Sequence, residues 1–170
     1  MKLQKIGIAV GSALGVCALA WAQQMGATAA LKPTTGNTAA GTVTFTQKGD
    51  NVSVVANLSG LSPGSHGFHI HEKGDCSAGD GMSAGGHFNP TGKPHGDPTT
   101  ADHHAGDMPQ LVADASGKAT LTADLTPMTI GGSNDIVGKA VIVHKDADDF
   151  KTQPTGNSGA RVACGVITKS

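Results

Sequence analysis

The stretch Gly67-Phe68-His69-Ile70-His71-Glu72 places two histidines two residues apart within an alternating run. Successive side chains of a β-strand point to opposite faces, so a strand here directs His69 and His71 to the same face. Imidazole is the commonest metal-ligating side chain, and two rings on one face can bind one ion. The stretch therefore predicts a β-strand that contributes two ligands to a metal site.

Similar short segments, alternating or rich in β-branched residues, recur along the chain. They cover residues 42–46, 52–58, 67–72, 110–113, 119–125, 139–144 and 160–167. Turn-forming triplets such as Gly49-Asp50-Asn51 and Ser116-Gly117-Lys118 separate them at hairpin-like intervals. No segment has the pattern of an amphipathic helix. The chain is therefore predicted to be all-β, an antiparallel sandwich or barrel.

Two long segments interrupt this pattern, at residues 73–108 and 146–159, and both are rich in Gly, Asp, Ser, Thr and Pro. Loops longer than about 15 residues without secondary structure are usually functional or disordered. The first segment contains four potential metal ligands and Cys76. We therefore expect it to be a functional loop that a metal ion and a disulfide keep ordered.

The histidines fall into two candidate groups of metal ligands. All eight lie between His66 and His144, and seven of them lie within 66–104. One group supplies three imidazoles and a carboxylate, a set that suits tetrahedral zinc; its members are His87, His95, His104 and Asp107. His144 ends the apolar run Val141-Ile142-Val143, where a buried strand would bring it towards the His69 and His71 pair.

The first 22 residues have the pattern of a cleaved secretory signal. Lys2 and Lys5 precede an apolar stretch at residues 6–19, and Ala20-Trp21-Ala22 is a small-x-small cleavage site. A membrane anchor is the alternative, but glycines interrupt the run and the cleavage site follows it directly. Lipid attachment at Cys17 is a second, less favoured alternative. We expect the mature chain to begin near Gln23, with no membrane segment after cleavage.

The remaining residues, 23–170, have the length of one domain. Removing the signal takes away two of the twelve basic residues and none of the thirteen acidic ones, which leaves a net charge of −3. Such a chain lacks the basic surface of a nucleic-acid-binding protein. Two cysteines remain, and in an exported protein Cys76 and Cys164 most simply form one disulfide. Their use as soft metal ligands is the alternative.

Six segments together resemble the copper/zinc superoxide dismutases, in particular their bacterial periplasmic branch. In chain order they are GFHIHE, SAGGHFNP, KPHG, HAGD, VIVHKDADD and GARVACGVI, and the similarity spans about residues 40–168. The resemblance implies a Greek-key, eight-stranded β barrel with two long functional loops. It also implies one copper and one zinc ion per subunit, superoxide as the substrate, and a periplasmic location.

The resemblance further assigns the ligands of each metal. Copper would be bound by His69, His71, His87 and His144, and zinc by His87, His95, His104 and Asp107. His87 would bridge the two metals. Copper would alternate between two oxidation states as superoxide is converted to oxygen and hydrogen peroxide, whereas zinc, with a filled d shell, would organise the site.

Two further residues have roles that the resemblance implies. Asp148 matches a carboxylate that accepts hydrogen bonds from one copper ligand and one zinc ligand, here His69 and His95, and so fixes their orientation. Arg161 matches the arginine beside the copper channel, where a cationic side chain can dock a small anion. His87 and Arg161 are accordingly the predicted catalytic residues.

The other polar residues near the motifs have simpler interpretations. His66 is three residues from His69, so on a strand it faces the other way and is predicted to be a structural, hydrogen-bonded histidine. His103 is predicted to be solvated, because the His-x-x-Asp spacing to Asp107 favours His104 as the ligand. Glu72 is expected to form an ion pair at the surface.

The chain departs from the animal enzymes between His144 and Arg161, where its loop is shorter and has fewer charged residues. Three lysines are candidates for steering superoxide: Lys93, Lys145 and Lys151.

The position of Cys76 fits the bacterial pattern, so the subunit interface of the animal enzymes cannot be assumed for this chain. A homodimer is preferred, and a monomer is the alternative. Metal storage and a non-enzymatic partner role compete with the enzymatic function, but every expected ligand is present.

Overall fold

The computed structural model describes residues 25–170. The predicted signal at residues 1–22, with its cleavage site, lies outside them. The described residues form nine strands, listed here in chain order: β1 (Gly26–Pro33), β2 (Ala40–Lys48), β3 (Asn51–Ser59), β4 (Gly64–His66), β5 (Phe68–His71), β6 (Leu111–Ala113), β7 (Ala119–Leu125), β8 (Ala140–His144) and β9 (Arg161–Lys169).

The strands build a curled, antiparallel sheet. Seven of them are hydrogen-bonded in the order β5-β8-β9-β1-β2-β3-β7, and β4 pairs separately with β6. Only Gly67 separates β4 from β5, so these two strands are one interrupted strand that joins β6 on one side to β8 on the other. Counted this way the strands number eight, and the predicted all-β barrel architecture is confirmed.

The core lies inside the curl of the sheet, and the alternation of side chains explains how it forms. In β2 the inward residues Val43 and Phe45 are fully buried, whereas Thr42 and Thr44, which alternate with them, are exposed. β8 differs because all five of its residues are buried. It lies between β5 and β9 and is covered on both faces, which is why it is an uninterrupted apolar run.

Strand β1 is not among the strands that the sequence predicts. Its sequence is GATAALKP, which contains one β-branched residue and many alanines, so its strand propensity is low. It becomes a strand because it fills the gap between β2 and β9. Its inward residues Ala27, Ala29 and Leu31 alternate with less buried ones, and this alternation is the signal that could have revealed it.

Both predicted long loops are present, between β5 and β6 and between β8 and β9. The first contains a single 3-10 turn at Met82–Ala84. The predicted disulfide forms between Cys76 of this loop and Cys164 of β9, across 88 residues, so the alternative of two soft metal ligands is wrong. Among residues 25–170, no helix is long and apolar enough to cross a membrane.

Candidate metal centre

Four imidazoles converge where the first long loop meets β5 and β8. His69 and His71 lie on β5, and His144 lies at the end of β8, next to an irregularity in its pairing with β9. His87 comes from the loop, whose backbone pairs with β5 through a bridge between His71 and His87. One ring nitrogen from each of the four lies within 4.8 Å of the others.

The hydrogen-bonding state of these four rings fits a metal site. Among residues 25–170, five buried polar side-chain atoms have no hydrogen-bond partner, and four of them are ring nitrogens of this group: His69 Nδ1, His71 Nε2, His87 Nε2 and His144 Nε2. Unpaired buried polar atoms are rare and call for a specific explanation. Four convergent nitrogen lone pairs match the preference of copper for imidazole ligands.

The second group is formed by residues of the first long loop alone. The Asp107 Oδ1 atom lies 2.9 Å from His87 Nδ1, 3.0 Å from His95 Nδ1 and 3.4 Å from His104 Nδ1. The His104 and His87 Nδ1 atoms are 3.3 Å apart. Zinc bonds of about 2.0–2.1 Å to four tetrahedral ligands imply edges of about 3.3 Å, so the set fits a zinc ion.

His87 belongs to both groups through different ring nitrogens. Its Nδ1 atom faces Asp107, and its unpaired Nε2 atom faces the other three histidines. Burial lowers the pKa of His87 to about 4 and that of His144 to about 3. Both rings are therefore neutral at pH 7, the form that binds metal.

His95 has the opposite protonation preference. Burial acts to lower its pKa, but hydrogen bonds to Asp107 and Asp148 outweigh that effect and raise the pKa to about 9. The pKa of Asp107 is held far below its usual range: burial opposes this, but hydrogen bonds from His104, His87 and His95 prevail. Without a metal, His95 is a cation between two carboxylates, and a zinc ion would displace its Nδ1 proton.

Asp148 lies behind both groups, as the resemblance implied. The His69 Nε2–H donates to its Oδ2 atom at 2.6 Å, and the His95 Nε2–H donates to its Oδ1 atom at 2.9 Å. Each bond directs the Nδ1 atom of that ring towards a metal group. Asp148 thus connects the second long loop to a histidine of each group.

Backbone carbonyls fix two of the remaining rings. The Nδ1–H of His71 donates to the Gly85 oxygen at 2.8 Å, and the Nδ1–H of His144 donates to the Gly159 oxygen at 3.2 Å. Hydrogen bonding at one nitrogen sets which tautomer is present. Both rings therefore present Nε2, the unpaired atom, to the first group.

Arg161 lies at the start of β9, close to the first group. It donates from Nη1 to the Gly81 oxygen at 2.8 Å and from Nη2 to the Gly85 oxygen at 2.6 Å. Burial lowers its pKa, but an arginine still carries its charge at neutral pH. Its charge contributes to lowering the pKa of His71 and of His144. The result is a fixed, half-buried cation beside these rings.

The histidines outside the two groups have different outcomes. His66 is buried, and its two ring nitrogens lie 2.8 Å from the backbone oxygens of His144 and Ser62, so its predicted structural role is confirmed. The prediction that His103 is solvated is wrong, because it is only 5% exposed. Its Nδ1–H donates to the backbone oxygen of the next residue, His104, at 2.7 Å, and this hydrogen bond is buried.

The charged residues near the site also differ in their pairing. Glu72 is exposed and forms the predicted surface ion pair, with Lys139 at 2.5 Å. Among the three candidate steering lysines, Lys93 donates to the Ala101 oxygen and lies 3.5 Å from Asp102, so its charge is partly balanced. Lys145 and Lys151 are exposed.

Two residues of the second long loop contact the site but are not among its predicted residues. Gly156 has a φ of +67°, and a Cβ atom there would collide with the Asp148 carboxylate and crowd His95 Nε2. Gln153 hydrogen-bonds to the backbone of His95. The run TQPTGN at residues 152–157 has the composition of an ordinary turn. The contact between Asp148 and His95 that the resemblance implied is the signal that could have indicated that this loop packs against His95.

The family model for copper/zinc superoxide dismutase matches residues 39–167. The chain belongs to the copper/zinc superoxide dismutase family. Superoxide dismutase (Cu-Zn) 2 of Brassica juncea is 46% identical over 134 residues, which cover 75% of this chain and 88% of the relative. The crystal structure of the clock protein EA4 is 41% identical, with a TM-score of 0.77, and the match covers 84% of this chain and 93% of that one.

Membership of the superoxide dismutase family agrees with the chemistry of the two histidine groups. The chain is an oxidoreductase of the copper/zinc superoxide dismutase type, and copper and zinc are its cofactors. The all-imidazole group suits the redox-active copper, whereas the three imidazoles and one carboxylate suit zinc.

Proposed function

We propose that the chain is a periplasmic superoxide dismutase in which two groups of ligands that share His87 would hold one copper and one zinc ion. Copper is assigned to His69, His71, His87 and His144, and zinc to His87, His95, His104 and Asp107. The observation that carries the assignment is the set of four unpaired, buried ring nitrogens, because nothing else in the described residues satisfies them.

The reaction converts two superoxide ions and two protons into one oxygen molecule and one hydrogen peroxide molecule. When bound, copper supplies the one-electron chemistry that this requires. Arg161 docks the anion: its guanidinium is held by two backbone carbonyls and still presents positive charge to the first group. Docking by a fixed cation raises the rate because the substrate arrives already oriented.

His87 handles a proton in this proposal. Its Nδ1 atom stays directed at the Asp107 side, while its Nε2 atom, buried and unpaired, holds a proton in one half of the cycle and gives it to the product in the other. Asp148 keeps the neighbouring His69 and His95 rings in position, so that His87 is the ring of this cluster that changes its bonding.

The periplasmic location rests on two observations. The first 22 residues have the pattern of a secretory signal, and Cys76 and Cys164 form a disulfide of the kind that persists in oxidising compartments. Cell fractionation with mass spectrometry of the mature N-terminus tests this. A full-length cytoplasmic product would contradict it.

Sedimentation of the mature protein tests the proposed homodimer against the monomer.

Superoxide decay measured by rapid mixing tests the activity. The protein loaded with copper and zinc is compared with His144→Ala, which removes a copper ligand, and with Arg161→Ala, which removes the docking cation. We expect His144→Ala to lose copper and activity together, and Arg161→Ala to keep both metals but react more slowly. If the loaded wild type decays superoxide no faster than buffer, the proposal fails and metal storage is the better explanation.

A further inference from the structure

The side-chain amide of Gln153 pairs with the backbone of His95 in both directions. The His95 backbone N–H donates to Gln153 Oε1 at 2.8 Å, and Gln153 Nε2 donates to the His95 oxygen at 2.8 Å. The two residues are 58 positions apart and lie in different long loops. A two-point contact of this kind fixes both the position and the direction of a peptide segment.

The segment that carries His95 has no regular secondary structure of its own. Residues 92–97 belong to no strand or helix, so no sheet ladder holds the Cα atom of His95 in place. The hydrogen bonds from Gln153 replace that ladder at this one residue. Asp148, by contrast, contacts only the ring of His95, at Nε2.

The second long loop therefore holds His95 at three atoms. Gln153 holds the backbone nitrogen and oxygen, and Asp148 holds ring Nε2, which leaves Nδ1 directed at Asp107. The backbone contacts fix the position of the His95 main chain, and the contact at Nε2 fixes the orientation of its ring. Loss of either is expected to displace Nδ1 relative to the other atoms of the second group.

We infer that Gln153 is a positioning residue for His95 and through it sets the zinc affinity of the second group. The inference rests on the proposed assignment of zinc to that group. Removing a hydrogen-bond partner of a metal-ligating histidine typically costs 10–100-fold in metal affinity. Because Asp148 still holds the ring, we expect Gln153→Ala to raise the zinc dissociation constant by about tenfold and to leave copper affinity unchanged.

Gln47 provides a matched control for this substitution. Its Oε1 atom accepts from the Ile130 backbone N–H at 2.7 Å, and its Nε2 atom donates to the Gly49 oxygen at 2.8 Å. Gln47 Nε2 also donates to the Asn51 oxygen at 3.2 Å, just as Gln153 Nε2 also donates to the Lys151 oxygen at 3.2 Å. Gln47→Ala thus removes an amide that pairs with the backbone at three points, as Gln153→Ala does, but at a site outside both metal groups. A purely structural effect on folding is expected to be similar in the two variants.

The test is a competition titration of zinc against a chromophoric chelator, with wild type, Gln153→Ala and Gln47→Ala. The visible absorption of cobalt(II) bound in place of zinc is recorded as a signature of ligand geometry. We expect Gln153→Ala to weaken zinc binding and to change the cobalt spectrum, and Gln47→Ala to do neither. Gln153→Glu retains the acceptor for the His95 N–H but loses the donor, so it is expected to be intermediate.

Each contrary result has a separate meaning. Equal zinc affinity and equal cobalt spectra in wild type and Gln153→Ala would overturn the positioning role while leaving the zinc assignment intact. The same weakening in Gln47→Ala would also overturn it, since general destabilisation would then explain the loss. If wild type and His104→Ala bind zinc equally, the assignment of zinc to the second group fails, and the inference fails with it.

Discussion

Replacing Asp148 with asparagine is expected to weaken copper binding more than zinc binding. Asp148 Oδ2 accepts one hydrogen bond, from His69 at 2.6 Å, whereas Oδ1 accepts two, from His95 at 2.9 Å and from the Phe150 backbone N–H at 2.7 Å. In asparagine one of these oxygens becomes an NH2 group, which only donates. An NH2 group at the Oδ1 position would face two donors, His95 and the Phe150 N–H, whereas at the Oδ2 position it would face only one, His69. The asparagine side chain is therefore expected to turn its NH2 group towards His69.

The magnitude follows from what His69 must then do. It loses a charge-assisted hydrogen bond of about 1.5–3 kcal/mol, which corresponds to roughly 10–100-fold in affinity. To avoid two facing donors the ring must move its proton to Nδ1, the unpaired atom that faces the copper group. Copper would then have to displace that proton. His95 keeps an oxygen acceptor, so the effect on zinc is expected to be smaller.

Copper and zinc dissociation constants measured by chelator competition, for wild type and Asp148→Asn, test this prediction. Asp149→Asn is the control, because Asp149 is exposed and, in the described structure, its carboxylate accepts hydrogen bonds only from Lys151 and Thr152 of the same loop. The reasoning is refuted if zinc binding weakens more than copper binding, or if Asp148→Asn changes copper affinity no more than Asp149→Asn does.

Three other measurements probe separate parts of the structure. Since the pKa of His95 is about 9, zinc binding at pH 7 is expected to displace about one proton from it, and zinc affinity should rise with pH until about 9. Calorimetry in buffers of different ionisation enthalpy measures the displaced proton, and a zinc affinity that does not change with pH would contradict the prediction. Reducing the disulfide between Cys76 and Cys164 is expected to cost about 4–5 kcal/mol of unfolding free energy on chain-entropy grounds, measured by denaturant titration; an unchanged midpoint would argue against it. Neutral substitutions of Lys145 and Lys151 are expected to lower the superoxide reaction rate and its salt dependence, and an unchanged salt profile removes that lysine from the steering set.

Period-two patterning made much of the fold predictable. The GFHIHE run has the alternation that places His69 and His71 on one side of β5, and the strands that β-branched residues mark were located to within a few residues. β1 escaped because its alanines have little strand propensity, and it becomes a strand only through pairing with β2 and β9. Pairing between distant strands is a tertiary effect that local sequence does not encode.

The same limit applies to the metal centre. The motifs predict the members of both groups and the part played by Asp148, but they wrongly predict a solvated His103, because spacing reveals nothing about a ring that bonds to its neighbour's carbonyl. Gln153 and Gly156 gave no signal, because their importance depends on how one long loop packs against the other. Contacts between loops are visible only once the chain is folded.

The bridge at His87 is the central claim, and electron paramagnetic resonance tests it most directly. Copper(II) is loaded into the first group and cobalt(II) replaces zinc in the second. If the His87 ring joins the two ions, their unpaired electrons couple through it, and the copper signal of the doubly loaded protein is expected to be lost. A full copper signal from protein that analysis shows to contain both metals would contradict a shared His87.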